Sequence, residues 1–251
     1  MILVTGGCSF SECISPWIDT WPKQLEKILK PEISFHEGLG CQGNGMISRE
    51  IIHRLSSILK TYDPQNLLVG IMWSGTNRHE FFVEYDELSE PIKYGMTIPG
   101  KFGESTGVFN PYNWVKESTK SGWLIANSHI DADNRSKVWN KFLHNWVQSQ
   151  ILTTEHILRV QWFLKLHGIK YFMSTYTGEV FGKCKDDINV KYLHDQIDFT
   201  QFLPVIGEYE WCRDYSNLEF PIKGDQHPSS EQHKLFAEQV IVPFLQSKNY
   251  I

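Results

Sequence analysis

Residues 67–73 read Leu-Leu-Val-Gly-Ile-Met-Trp, without a polar side chain at any position. A strand with one wet face alternates apolar with polar residues, whereas a continuous apolar run fits a strand covered on both faces, as in a parallel sheet enclosed by helices. The neighbouring segments agree with that arrangement. Ile2, Leu3 and Val4 form a short apolar run closed by Gly6-Gly7, and Trp21, Leu25, Ile28 and Leu29 then recur at helical spacing up to Pro31. Residues 33–37 can extend into a second strand. The glycine-rich stretch from Gly38 to Gly45 opens a helix carrying Ile47, Ile51, Ile52, Leu55, Ile58 and Leu59, which Asp63-Pro64 breaks.

Beyond the apolar run, helical periodicity resumes with Val138, Phe142 and Trp146, continues through Ile151, Leu158, Trp162, Phe163 and Leu166, and ends at Gly168. Residues 169–175 read as the next strand. The stretch 178–223 is irregular, with a short helix expected at about 197–203, and a final helix carries His233, Phe236, Ala237, Val240 and Ile241. Strands alternating with helices through right-handed crossovers predict an α/β chain: a three-layer α/β/α sandwich with a mainly parallel sheet. Residues 1–251 are expected to form one domain, interrupted at about 79–133 by a long insertion rich in Gly, Pro, Ser and aromatic residues. Within it Phe109, Tyr112, Trp114 and Trp123 could line a sugar or acyl cleft, or could bury the insertion itself. Trp139 and Trp146, at i and i+7 with Phe142 and Leu143, are expected to pack in the core.

Composition removes several classes of function. Lys and Arg total 24 against 29 Asp and Glu, a formal charge of −5 with no basic run, which disfavours nucleic-acid binding through phosphate neutralisation. No stretch approaches the roughly 18 consecutive apolar residues of a membrane span, and the opening lacks a basic segment followed by a long apolar one, so the cytoplasm is the default expectation. Cys8, Cys13, Cys41, Cys184 and Cys212 are odd in number and scattered, which points to reduced thiols and to neither a zinc cage nor a disulfide framework. The histidines at 36, 53, 79, 129, 144, 156, 167 and 194 show no ligand spacing, so no metal is expected.

Parallel strands place their exits on one edge, where residues distant in sequence converge. Gly7-Cys8-Ser9-Phe10-Ser11, Gly40-Cys41-Gln42-Gly43-Asn44 and Gly75-Thr76-Asn77 each follow a predicted strand, and Asp225-Gln226-His227-Pro228 precedes the last helix. Together they supply what acyl transfer needs: a hydroxyl, a base, a carboxylate to orient the base, and donors for an oxyanion. Ser9 would be the nucleophile, His227 the base and Asp225 the orienting carboxylate. The backbone N–H groups of Ser9 and Gly43 and the side-chain amide of Asn77 would form the oxyanion hole. Taken singly, Ser9 could be a turn serine, Cys8 a small buried residue, and His227-Pro228 a helix start. Gly38-Leu39-Gly40-Cys41-Gln42-Gly43 also spells a dinucleotide-binding fingerprint, with Asp63 about 20 residues further on, but that acid precedes the next strand instead of ending it.

In order and approximate spacing these four blocks resemble those of the SGNH hydrolases, the GDSL esterase and lipase superfamily. Gly7-Cys8-Ser9-Phe10-Ser11 resembles the family's Gly-Asp-Ser-x-Ser/Thr, and Gly40-Cys41-Gln42-Gly43-Asn44 its Gly-x-x-Gly-Asp/Asn. Gly75-Thr76-Asn77-Arg78 resembles Gly-x-Asn-Asp, and Asp225-Gln226-His227-Pro228 the terminal Asp and His-Pro. The chain departs from the pattern in Cys8 and Arg78, which replace aspartates, and in the two-residue spacing of Asp225 to His227, for which Asp214 is a distant substitute. A weaker similarity, in residues 5–12 and 227–233, is to small hydrolase-like proteins of tailed bacteriophages, which would place the chain in a host cytoplasm or a virion. The resemblance implies a flavodoxin-like sheet and a serine esterase that forms an acyl-enzyme on Ser9 and needs no cofactor. A small ester would be the substrate, with a carbohydrate O-acetyl ester favoured. The alternatives are a weak or inactive hydrolase-like protein that binds carbohydrate or belongs to a virion, and an acyltransferase that excludes water during deacylation.

Overall fold

The computed structural model describes residues 1–13, 17–84, 108–109, 121–127, 137–182 and 186–251. Tyr112, Trp114, His129 and Cys184 lie outside the described residues. The described strands are β1 (Ile2–Gly6), β2 (Ile33–His36), β3 (Leu67–Trp73), β4 (Arg78–Glu84), β5 (Val108–Phe109), β6 (Ser121–Asn127) and β7 (Lys170–Thr175). The described α-helices are α1 (Trp21–Leu29), α2 (Asn44–Ile58), α3 (Trp146–Leu166), α4 (Glu179–Gly182), α5 (Ile188–His194), α6 (Glu208–Tyr215), α7 (Ser230–Phe236) and α8 (Val242–Ser247).

The chain is an α/β protein, a three-layer α/β/α sandwich around a parallel four-stranded sheet of order β2-β1-β3-β7. The two-residue period of the strands divides their side chains between two cores. Ile2, Val4, Leu67, Val69, Ile71, Trp73 and Met173 pack on one face against Ile47, Ile51 and Leu55 of α2 and Ile157, Leu158 and Leu164 of α3. Leu3, Leu68, Met72 and Phe172 pack on the other against Trp21 and Leu25 of α1, Trp211 and Cys212 of α6, and Phe236 of α7. Burying each such side chain contributes ~1.5–3 kcal/mol. Gly70 interrupts the apolar run of β3 because a Cβ there would lie 2.5 Å from Phe172 Cζ; the phenylalanine fills that place.

Three segments differ from the sequence reading. Residues 197–203 form only a 3-10 turn at Phe199–Gln201, after which Leu203 donates its N–H to the Met173 carbonyl at 2.8 Å, a rudimentary extra strand on the outer edge of β7. Pro204 disfavours helical backbone at Leu203, and the open edge of β7 supplies the hydrogen bond that a helix would have given. The helical signal from Val138 to Trp146 is split: a π-helical segment Trp139–Leu143 ends at His144, and Asn145 caps the new helix α3 by accepting from the Gln148 N–H. Trp139 is buried, but Phe142 is 68% exposed, Leu143 58% and Trp146 38%, so the expected common core face does not form. Finally, residues expected to be an aperiodic insertion include an antiparallel sheet of order β4-β6-β5, with β4 and β6 in register from Arg78↔Asn127 to Glu84↔Ser121.

The connection from β1 runs to β2 on one side, and that from β2 returns past β1 to β3 on the other. The order of strands therefore reverses between β1 and β3, and in open α/β sheets the crevice beyond the carboxyl ends at such a point is where ligands bind.

Candidate active site

β1 leaves the sheet through Gly7 and Cys8 into a 3-10 turn, Ser9–Ser11, closed by Ser11 N–H donating to the Cys8 carbonyl at 2.8 Å. Glycine is required at position 7 by crowding, because a Cβ there would sit 2.3 Å from Ser11 Oγ and 2.9 Å from the Met72 carbonyl oxygen. The buried Trp21 indole N–H donates to Ser11 Oγ at 2.9 Å and pins the turn to α1. Cys8 and Phe10 point into the core, leaving Ser9 half-buried at the surface of the crevice. Cys8 is thus the small buried residue that its sequence position allowed.

The second arm arrives from the other end of the chain. Gly224 adopts φ +87°, a left-handed conformation that favours glycine, immediately before Asp225. The cap of α7 is Ser229, in a capping box with Gln232, so His227-Pro228 stands outside the helix and the imidazole is not spent on capping. His227 Nε2 lies 2.7 Å from Ser9 Oγ and its Nδ1 lies 2.6 Å from Asp225 Oδ1. The His227 backbone N–H donates to the same carboxylate oxygen at 3.1 Å. The Phe10 ring packs against the imidazole, centroid to centroid 5.0 Å, and Tyr176 meets Phe10 edge-on at 5.2 Å. Burial works to raise the Asp225 carboxyl, but the His227 ring and backbone N–H outweigh it and hold the carboxyl below its ordinary range.

The exit of β3 and the start of α2 are fastened together by Asn44. Its side-chain oxygen accepts from the Ser74 N–H at 2.7 Å, and its side-chain nitrogen donates to the Ser74 carbonyl at 2.9 Å and to Thr153 Oγ1 at 3.1 Å. Gly43 is the N-cap of α2. A Cβ on Gly43 would fall 2.2 Å from Glu80 Oε1, and one on Gly45 2.3 Å from Glu80 Oε2, so the glycines admit that carboxylate to the helix N-terminus, where Met46 N–H donates to it at 3.3 Å. Arg49 pairs with Glu80 at 3.3 Å. Asn77 folds back over the turn, its Oδ1 2.6 Å from where a Gly75 Cβ would stand. The start of α2, which Gly43 caps, and the exit of β3, which leads to Asn77, are thus bound to each other.

Other sequence candidates go elsewhere. Asp214 pairs with its neighbour Arg213 at 2.7 Å on the exposed side of α6 and does not touch His227. Asp63 caps the 3-10 turn Pro64–Asn66, ahead of β3, by accepting from the Gln65 N–H. No group of three or more His, Cys, Asp or Glu among the described residues could hold a metal ion. No helix among them is long and apolar enough to cross a membrane. A cavity of about 900 Å³ lies at the outer edge of β7 between Phe181, Phe202, Trp211 and Phe244 and contains none of Ser9, Asp225 or His227. Its polar lining, which includes Ser174, Thr175, Glu210, Asp214 and Lys248, has no histidine beside a hydroxyl, whereas Ser9 and His227 are in direct contact.

Sequence reasoning missed Glu12, Glu80 and the pair Glu208–His233. Burial raises Glu12 against the opposing pull of the Gly40 N–H and His227. Glu208 and His233 are almost wholly buried, 2.7 Å apart, and join α6 to α7 behind Phe10. A capping box, Ser229 to Gln232, was the available signal that His227 lay ahead of a helix; nothing local distinguishes Glu80 or Glu208 from surface carboxylates. Set beside protein-family models, curated proteins and solved structures, the chain has no match. The functional reading therefore stands on the geometry of the site and on its motifs.

Proposed function

We propose that the chain is a serine hydrolase of SGNH type that cleaves a small ester, with an O-acetyl group on a carbohydrate as the favoured substrate. The observation that carries the reading is the continuous Ser9–His227–Asp225 contact at 2.7 and 2.6 Å, built between Ser9, just beyond the carboxyl end of β1, and a loop 218 positions later in sequence. A turn serine or a helix start needs no such partner. The Ser9 hydroxyl attacks the ester carbonyl carbon while His227 Nε2 takes its proton and Asp225 stabilises the imidazolium. The negative charge that forms on the carbonyl oxygen is met by the N–H groups of Ser9 and Gly43 and the Asn77 amide. His227 then returns the proton to the departing alkoxide, and water, deprotonated by the same imidazole, releases the acid from Ser9.

The test is fluorophosphonate labelling of the purified protein, with peptide mass spectrometry to locate the adduct and a parallel sample carrying His227→Ala. An adduct on Ser9 that depends on His227 is the expected result. Folded protein that takes no label overturns the hydrolase reading and leaves a binding protein on the same scaffold.

A further inference from the structure

Arg78 stands directly after Asn77, at a position where the motif resembled here carries an aspartate, and nothing in the acyl-transfer scheme uses it. Its side chain is held on three sides. The Cβ lies 3.1 Å from where a Gly43 Cβ would be, Nη1 donates to the Gln42 carbonyl at 2.9 Å, and the guanidinium sits over the Tyr176 ring at 6.0 Å. Through Tyr176 and Phe10 it belongs to the same wall as His227. Among the described residues no carboxylate forms an ion pair with it; Glu80, two positions on, pairs with Arg49 instead. An arginine held in place with one donor engaged on Gln42 keeps the rest of its planar fork, and a planar fork is organised to receive a carboxylate.

We infer that Arg78 is a specificity-determining residue, which binds a carboxylate carried by the substrate on either its acyl half or its alcohol half. The inference rests on the reading of Ser9 as nucleophile for its placement beside the reacting ester, but the anion site itself exists whether or not Ser9 turns over. It gives the crevice a substrate class: acidic esters, such as a half-ester of a dicarboxylic acid or an acetylated uronic acid, in preference to neutral ones.

Two paired comparisons test it. One is kcat/KM on 4-nitrophenyl hydrogen succinate against 4-nitrophenyl acetate. The other is equilibrium binding of galacturonate against galactose to Ser9→Ala protein, which needs no catalysis. The carboxylate-bearing member should be preferred in at least one pair by about tenfold, the ratio should fall towards one in Arg78→Gln, and Arg78→Lys, which keeps the charge without the fork, should retain an intermediate ratio. The esters locate the carboxylate on the acyl half, the sugars on the alcohol half. Absence of preference in both pairs, or a ratio unchanged in Arg78→Gln, overturns the assignment. Thermal melting establishes that each variant is folded, and if Arg78→Gln is not, the Arg78→Lys ratio decides. Loss of the Ser9 label together with a preserved Arg78-dependent preference for galacturonate sinks the hydrolase reading and leaves the anion site standing.

Discussion

Both hydrogen bonds that His227 makes to Asp225 land on one oxygen, Oδ1, the ring Nδ1 at 2.6 Å and the backbone N–H at 3.1 Å. The two-residue spacing makes this possible, because the carboxylate folds over its own loop as an Asx turn does and meets the ring from the same side. An asparagine in its place keeps the loop but loses the charge that stabilises an imidazolium. Asp225→Asn should therefore slow fluorophosphonate labelling of Ser9 by about 10²–10⁴-fold with little change in thermal stability. A rate within twofold of wild type would show that the orienting carboxylate is dispensable.

Asn77 tests the oxyanion side. Asn77→Ala should lower the labelling rate and ester turnover by about 10²–10³-fold while His227 and Ser9 remain in contact. Gly75→Ala is an independent probe, since its new methyl would lie 2.6 Å from Asn77 Oδ1 and must push that side chain aside. It should reproduce part of the Asn77→Ala loss without touching any triad residue, which steady-state kinetics on one aryl ester would reveal.

What could be read in the sequence, and what could not, follows the range of the interactions involved. β1, β3 and β7 announce themselves because each is buried on both faces, and α1, α2 and α3 because one face of each packs on the sheet. The four motif blocks were legible because each is a local turn at a strand exit or helix start. Helix α6 was not: its eight residues bury Glu208 as well as Trp211 and Cys212, so its core face includes an acidic side chain and shows no apolar stripe. The pairing of β4 with β6 joins residues about 40 positions apart with no signal in either segment alone. Glu80 shows the same limit at the site, because its reason for being buried lies on Gly43 and Gly45, 35 or more positions earlier.

Asn44 predicts a stability effect of structural origin. It is 3% exposed and makes three hydrogen bonds, two of them to the backbone of Ser74, which without it would be left unpaired in the core. Asn44→Ala should cost roughly 2–4 kcal/mol in denaturant unfolding, and Asn44→Asp, which loses the donor, should also be destabilised. An alanine variant as stable as wild type would mean that water replaces both contacts.

Glu50 makes the prediction with the clearest dependence on pH. It is 4% exposed, its Oε1 has no hydrogen-bond partner, and burial, aided by the like charge of Glu37, pushes its carboxyl up from 4.5 to about 8 against the pull of Arg54 and Arg49. Between those two values the folded chain keeps the proton while the unfolded chain has released it, so the folded state binds more protons and stability falls as pH rises, by up to about 1.4 kcal/mol per pH unit from this group. Above pH 8 both states are ionised and the contribution levels off. Glu50→Gln abolishes the titration: relative to wild type it should gain stability progressively from pH 5 to pH 8, read from urea midpoints at constant ionic strength. A difference between the two proteins that stays constant over that range would show that Glu50 ionises in the folded state at its ordinary pH, with Arg49 and Arg54 compensating its burial in full.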